Sequence, residues 1–177
     1  IILISGPTAS GKSNFALKIA KKIDGEIINA DSMQVYKQLR ILTTRPNKKE
    51  QKNIKHHLYG NIDLNEKFGV ITDRWHPRIV ASLNGQDVKL AKIEGDFVWH
   101  AHAEEDEMFY VVKGRLELHF RYKVEVLLPG QMIVVPRGEE HKPLATEETW
   151  IMLFEPQSTD HTGGVETPLR QQQIERI

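Results

Sequence analysis

The 177-residue chain contains no cysteine, which excludes disulfide bonds and thiolate metal ligands. Its apolar residues never form a run of the roughly 18 that a membrane-spanning helix needs. Aromatic residues make up only 7%, and the 24 basic side chains balance the 24 acidic ones. These absences exclude a disulfide-stapled secreted domain and a helical membrane protein, and they predict a protein of the reducing cytoplasm with no membrane contact.

The zero net charge conceals an uneven distribution along the chain. Residues 1–60 hold 11 Lys and Arg against 4 Asp and Glu, whereas residues 61–177 hold 13 against 20. A basic segment suits a polyanion such as a diphosphate or tRNA, and an acidic segment makes nucleic acid a poor partner. The lysines of residues 48–55 are equally explained by a solvated surface. Two unlike parts, residues 1–60 and 61–177, are therefore predicted.

Three histidines and one glutamate mark the second part. His100 and His102 are separated by one residue, Glu107 follows soon after, and His141 lies farther along. Neutral imidazole and carboxylate are the ligand types that suit zinc, iron, nickel or manganese. The four side chains predict one metal site. The alternative is that these histidines occupy polar positions of a β-rich domain that binds no metal.

The sequence around these side chains predicts short antiparallel strands separated by Gly and Pro turns. His100 and His102 stand two apart, so on a strand their side chains share one face. Alternating or continuous apolar and aromatic runs recur along the segment. The predicted strands are Phe97–His100, Met108–Val112, Arg115–Arg121, Gln131–Val135 and Trp150–Phe154, with Glu104–Asp106 as a connection and His141 opening one further strand. This succession is typical of a jelly roll or sandwich.

The other features of the second part are interpreted in structural terms only. In the strand Arg115–Arg121, alternation places Leu116, Leu118 and Phe120 on one buried face. The polar tail, residues 158–177, is predicted to be a loop that ends in a short helix. The remaining histidines of this part, His76, His119 and His161, are interpreted as solvated side chains.

The histidine and glutamate blocks are similar to the paired motifs of the cupin superfamily, a small β-barrel whose mouth holds one metal ion. The resemblance implies one divalent transition metal, drawn from Mn, Fe, Ni, Zn and Co, a small-molecule ligand and a homodimer formed through the barrel. Two departures exist, since Gly95 stands one residue closer to the histidine pair than usual and Ala145 replaces a common asparagine. Neither is a ligand position. The implied metal ligands are His100, His102, Glu107 and His141.

Cupins with such ligands include isomerases, dioxygenases, decarboxylases and non-enzymatic sugar binders. The predicted function is therefore a metal-binding cupin that acts on or binds a small polar molecule, in the manner of a sugar-phosphate isomerase or a dioxygenase. The alternative within the same fold is a metal-stabilised ligand-binding module without turnover.

A phosphate-binding signature lies at the start of the chain. Residues Gly6–Ser13 fit the pattern G-x-x-x-x-G-K-[ST], whose backbone N–H groups cradle phosphates at a helix N-terminus. The apolar run Ile1–Ser5 is predicted as a buried strand before the loop. Apolar residues spaced by four from Phe15 to Ile23 predict an amphipathic helix after it, and Glu26–Asn29 is a second strand candidate. Gly6, Gly11, Lys12 and Ser13 are the expected contacts to diphosphate, with Mg²⁺ beside it.

Residues beyond the loop resemble the N-terminal part of bacterial tRNA dimethylallyltransferases. The similarity is carried by Asp31–Tyr36, Thr43–Pro46 and His56–Leu58. These enzymes transfer a prenyl group from dimethylallyl diphosphate to a tRNA adenine. The resemblance implies that Asp31 acts as the catalytic base if this chain transfers the prenyl group. It also implies that Thr8 lies near the leaving group, as part of the diphosphate site.

The transferase resemblance extends over about 60 residues, and the cupin-like part follows without a Gly/Ser-rich linker near residues 61–68. A β-α-β piece of this size buries little surface and leaves open strand edges. It is interpreted as a truncated remnant, joined by a recombined or misassembled fusion, that binds phosphate but does not prenylate tRNA. The alternative is that the chain is an active tRNA dimethylallyltransferase. The predicted fold is mainly β: a cupin jelly-roll β-barrel preceded by a short α/β P-loop fragment, a truncated β-α-β unit.

Overall fold

A computed structural model describes residues 1–6, 10–31, 34–37, 45–51, 53–60 and 62–177. The chain divides into two compact units, Ile1–Leu64 and Asn65–Ile177. Thr8, Ser32, Met33 and the Thr43–Thr44 pair lie outside the described residues, so the interpretations placed on them stay predictions. Among the described residues, no helix is both long and apolar enough to cross a membrane.

The first unit contains the helix and the second strand predicted after the loop. Helix α1 spans Lys12–Ile23 and ends where Asp24 adopts a left-handed conformation, with φ of 51°. Strand β1, Ile27–Ile28, lies within the predicted Glu26–Asn29 and pairs in parallel with β2, His56–His57. A short helix, α2, covers Lys48–Gln51.

The predicted strand at Ile1–Ser5 is wrong. These residues have no regular secondary structure, and Ile1 and Leu3 are exposed. An apolar run becomes a buried strand only where a neighbouring strand takes its backbone hydrogen bonds. Among the described residues of this unit, β1 and β2 form the only such pair of strands, and neither pairs with the first five residues.

The second unit is an antiparallel β structure, as predicted. Helix α3, Leu64–Gly69, begins at the boundary between the units. Five strands of the seven-stranded sheet follow the order β3-β4-β9-β5-β8, while β6 pairs with both β7 and β9. The strands are β3 Arg78–Leu83, β4 Gln86–Asp96, β5 Glu107–Lys113, β6 Leu116–Phe120, β7 Val124–Leu127, β8 Met132–Val135 and β9 His141–Pro156.

The barrel core forms from the alternating faces of these strands. Leu116, Leu118 and Phe120 are buried on one face of β6, as their spacing predicts. They join side chains of β4, β5 and β9 in one cluster, among them Ile93, Val111, Ile151 and Leu153. The apolar run Trp150–Phe154 lies in the second half of the long strand β9, within the barrel wall, where Ile151, Met152 and Leu153 are buried.

Two predictions for the second unit are wrong. Phe97–His100 is not a continuous strand: the Phe97 N–H donates to the Pro143 carbonyl, and His100 forms a single bridge with His141. Residues 158–177 contain no helix. Instead, the end of the tail pairs with Ile79 of β3. The Ile79 N–H donates to the Glu175 carbonyl, and the Ile79 carbonyl accepts from the Ile177 N–H.

Candidate metal centre

Backbone pairing fixes two of the four candidate ligands against each other. The His100 N–H donates to the His141 carbonyl at 3.0 Å, and the His141 N–H donates back at 2.9 Å. Side chains of such a directly opposed pair lie on one face, and the two imidazole centroids are 4.3 Å apart. His141 is therefore placed by the start of β9, and His100 by its bridge to that strand.

The other two ligands are held by separate elements. Glu107 opens β5 and pairs with Val135 of β8. The His102 carbonyl accepts a hydrogen bond of 2.7 Å from the N–H of Gly138, which has φ of 77°. The turn that follows β8 thus anchors the residue carrying the second histidine.

All four side chains converge in the barrel interior. Their ligand atoms lie within 4.8 Å of one another, and each of the four residues is at most 5% exposed. Glu107 Oε2 lies 3.1 Å from His141 Nε2 and 3.3 Å from His102 Nε2. The structure thus brings together the four residues that the sequence predicts as metal ligands.

The hydrogen bonds of two rings show which nitrogen faces inward. His100 Nδ1 lies 3.1 Å from the Val98 carbonyl, and His141 Nδ1 lies 3.0 Å from the Glu139 carbonyl. A carbonyl oxygen can only accept, so each Nδ1 carries the proton and Nε2 presents a lone pair to the centre. Outer hydrogen bonds of this kind are typical of metal-binding histidines.

This arrangement fits a cation. With Nδ1 protonated, His141 Nε2 and the Glu107 carboxylate oxygen, 3.1 Å apart, require either a shared proton or a metal ion between them. His102 Nε2 is buried and lacks a hydrogen bond of acceptable geometry despite its 3.3 Å approach to Glu107. Buried lone pairs that converge without donors are unfavourable unless a cation satisfies them.

Electrostatics favour the protonation states that metal binding requires. Burial, followed by the nearby His141, lowers the pKa of His100 to about 4, so this imidazole is neutral near pH 7. Burial alone would raise the pKa of Glu107. The close imidazoles of His102 and His141 outweigh that effect and lower the pKa of this carboxyl. Neutral imidazole and ionised carboxylate are the forms that bind metal.

The prediction that His161 is solvated is wrong. This residue lies near the centre, is only 6% exposed, and donates from Nε2 to the Leu169 carbonyl at 3.0 Å. With His100, Glu107 and apolar side chains such as Phe97 and Phe109, it bounds a small cavity of about 30 Å³. No local sequence pattern predicts the burial of His161, because this burial depends on the C-terminal tail folding back onto the barrel.

The N-terminal phosphate-loop residues are only partly described. Gly11, with φ of 83°, precedes α1, and Lys12 Nζ donates to the Gly6 carbonyl at 2.7 Å. Ser13 is exposed in the first turn of α1, while Thr8 lies outside the described residues. The Asp31 backbone is fixed by hydrogen bonds to the Asn29 side chain, of 3.0 and 2.9 Å.

Comparison with known proteins identifies the family of the barrel. Residues 86–155 match the family described as Cupin domain. A cupin-2 domain protein of Shewanella frigidimarina is 47% identical, with a TM-score of 0.54, over 54% of this chain and 94% of its own. The barrel belongs to the cupin family. A Neisseria meningitidis protein, 28% identical with a TM-score of 0.50, matches 54% of this chain and 97% of its own.

The part before the cupin domain matches a different family. Residues 1–98 match Isopentenyl transferase, so the chain also belongs to that family. The tRNA dimethylallyltransferase of Pelagibacter ubique is 83% identical over 75 residues, and that of Rhizobium johnstonii is 61% identical over 61 residues. The chain spans only 23% and 20% of the lengths of these two relatives.

The two family matches overlap at residues 86–98. The structure places most of this overlap in β4, Gln86–Asp96, which pairs with β3 and β9. These residues are therefore part of the cupin domain's sheet. The predicted boundary near residue 60 stays a prediction, since the transferase match runs past it while the compact units divide at Leu64.

Proposed function

We propose that the cupin domain binds one divalent transition metal ion through His100, His102, Glu107 and His141, and that the barrel binds or transforms a small polar molecule. The observation that carries this proposal is the convergence of four buried ligand atoms within 4.8 Å of one another. Mn, Fe, Ni, Zn and Co are all compatible with three imidazoles and one carboxylate.

Four protein ligands leave room on a six-coordinate ion for two further ligands, which is typical of catalytic metal sites. A bound ion of this kind supplies Lewis-acid polarisation of an oxygen or activation of water. The protein's own contribution is to hold His100 neutral and Glu107 ionised, and to surround the centre with apolar side chains such as Phe97 and Phe109. Sugar-phosphate isomerisation and dioxygenation are the reaction classes we propose to test first.

Elemental analysis tests the metal site directly. The purified chain, incubated with Mn, Fe, Ni, Zn or Co and desalted, is expected to retain close to one ion per chain. Replacing both His100 and His102 by Ala should abolish this retention. His119→Ala is the matched control, because His119 lies on the partly exposed face of β6 beside Glu117. Wild-type protein that retains none of these metals would refute the proposal.

A screen for turnover separates an enzyme from a binding module. Metal-loaded protein is incubated with sugar phosphates, oxalate-like acids and thiols. Product formation that disappears in the His100→Ala, His102→Ala variant would establish an enzyme. Ligand binding that persists without product in every assay would establish the alternative, a metal-stabilised binding module.

We further propose that Gly6, Thr8, Gly11, Lys12 and Ser13 bind diphosphate with Mg²⁺, but that this chain does not prenylate tRNA. The 83% identity to a tRNA dimethylallyltransferase over 75 residues supports the phosphate site. Positioning two reactants can contribute about 7–11 kcal/mol to lowering a barrier. The chain matches only 23% of the length of that relative, which argues against complete positioning of a tRNA. Asp31 is the base if transfer occurs.

Labelled dimethylallyl diphosphate and an anticodon stem-loop test this second proposal. We expect diphosphate binding that weakens on Lys12→Ala, and an unlabelled RNA. RNA labelling that disappears on Asp31→Ala would make prenyl transfer the primary function.

We also propose a homodimer formed through the barrel. Strands β7 and β8 each pair with only one neighbour among the described strands, and they expose alternate apolar side chains. Val124, Val126, Met132 and Val134 are between 45% and 57% exposed. Exposed apolar edge strands favour association. Light scattering should give twice the monomer mass, and Val126→Asp with Val134→Asp should halve it.

A further inference from the structure

A second and much larger cavity lies in the unit that contains the barrel, and none of the four proposed ligands lines it. Its volume is about 650 Å³, which is within the range of small-molecule sites. One wall comes from β3 and β4, through Ile79, Asp87 and Lys89, and the other comes from the C-terminal segment that follows β9.

The C-terminal segment, residues 157–177, is fixed at both ends. The Gln157 N–H donates to the Gly85 carbonyl at 3.0 Å. At the other end, Ile177 and Glu175 pair with the backbone of Ile79, and Arg176 donates to Ser82 Oγ at 2.6 Å. The cavity is therefore a defined feature of the fold and not a gap beside a loose tail.

Every charged side chain that lines the cavity already has a partner in the protein. Lys89 Nζ donates to Glu155 Oε1 at 2.6 Å, with both residues at most 1% exposed. Burial, then the nearby charge of Glu107, raises the pKa of Glu155 to about 8 against the opposing effect of Lys89. The Lys89 N–H can donate to either form of this carboxyl. Its partner therefore remains in place.

The remaining charges pair in the same way. Arg170 contacts both Asp160 and Glu166, and Asp87 accepts a hydrogen bond of 3.1 Å from Gln157. A phosphate or carboxylate ligand would have to displace one of these internal partners from Lys89 or Arg170. Each cationic side chain of the lining is therefore already paired within the protein, which disfavours an anionic ligand.

Neutral hydrogen-bonding groups dominate the rest of the lining. They are Gln157, Ser158, Thr159, Thr167, Gln171 and Gln172. Thr159 is only 5% exposed, and its hydroxyl has no hydrogen-bond partner among the described residues. The Gln171 side-chain oxygen is likewise buried without a partner in the described part of the chain. Hydroxyl and amide groups both donate and accept, as the hydroxyl groups of a ligand do.

We propose that this cavity binds a small neutral polyhydroxylated molecule, an unphosphorylated sugar or polyol. His161 lines this cavity and also the small cavity beside His100 and Glu107, so the ligand would lie next to the metal centre. The inference rests on the proposed binding of a small polar molecule but not on the metal.

Saturation-transfer NMR on the full chain tests the proposal with D-glucose, D-xylose, glycerol and glucose 6-phosphate, before and after chelation. At least one neutral probe should bind with a Kd of about 1 mM, and the phosphate ester no more tightly than glucose. Thr159→Val should weaken binding about tenfold by removing one hydroxyl. Ser158→Trp, at an exposed position of the lining, should block it sterically.

Thr146→Val is the matched control, since it makes the same change at an exposed position of β9 outside the lining. Absence of binding by all neutral probes, or about tenfold tighter binding of glucose 6-phosphate, would overturn the ligand class. Wild-type affinity in both Thr159→Val and Ser158→Trp would overturn the location. Sugar binding by protein that retains no metal would refute the metal site alone.

Discussion

At the scale of single residues, His100 illustrates how a buried ligand couples protonation to folding. It is 3% exposed, it lies against His141, and its pKa falls from 6.5 to about 4. The folded state therefore binds fewer protons than the unfolded state between these two values. Its contribution to stability is fully present above pH 6.5 and is lost as pH falls through about 4.

The corresponding prediction concerns metal-free protein. Relative to His100→Gln, the wild type should lose about 3 kcal/mol of unfolding free energy between pH 6.5 and 4, at 1.36 kcal/mol per pKa unit. Urea unfolding at several pH values measures this difference, and the comparison cancels the titration of groups that both proteins share. The same slope in wild type and variant would contradict the prediction, as would an equal effect of His119→Gln.

At the scale of elements, the C-terminal segment supports the segment that carries His100 and His102, two of the proposed ligands. Gly163, with φ of 58°, packs against the backbone of Ala101, between His100 and His102. A Cβ at this position would lie 2.3 Å from the Ala101 carbonyl oxygen. Gly164 has a similar conformation, with φ of 81°, but a Cβ there would meet nothing within 4 Å.

These two glycines give a controlled test of positioning. Gly163→Ala should displace Ala101 and lower metal affinity about 10- to 100-fold, as is typical for residues that support metal ligands. Gly164→Ala should retain wild-type affinity, although both variants carry the strain of a left-handed residue. Competition with a chromophoric chelator measures affinity, and thermal unfolding tests whether each variant is folded. Equal affinities in the two folded variants would exclude this supporting role.

At the scale of the whole molecule, the chain combines an N-terminal transferase segment with a cupin domain. We predict that deleting residues 1–60 leaves a domain that unfolds cooperatively and binds metal, because the core cluster lies entirely between Trp75 and Leu169. Circular dichroism and elemental analysis measure both properties. Loss of cooperative unfolding on deletion would mean that the N-terminal segment belongs to the same folding unit.

The sequence by itself determined the candidate metal ligands and much of the barrel. The spacing of His100, His102, Glu107 and His141 identified the ligand set, because ligand chemistry belongs to the side chains themselves. The alternation of Leu116, Leu118 and Phe120 identified a buried strand face, because side chains on a strand alternate locally. Helix α1 was likewise predictable from its apolar period.

Only the tertiary structure decided the features that depend on distant neighbours. Strands β3, β4 and β7 were not identified from the sequence, and Ile1–Ser5 is not a strand because no described strand pairs with it. His161 and Thr159 became buried only because the tail hydrogen-bonds to β3. The Lys89–Glu155 pair joins residues of β4 and β9, a contact that long-range strand register creates and no local pattern encodes.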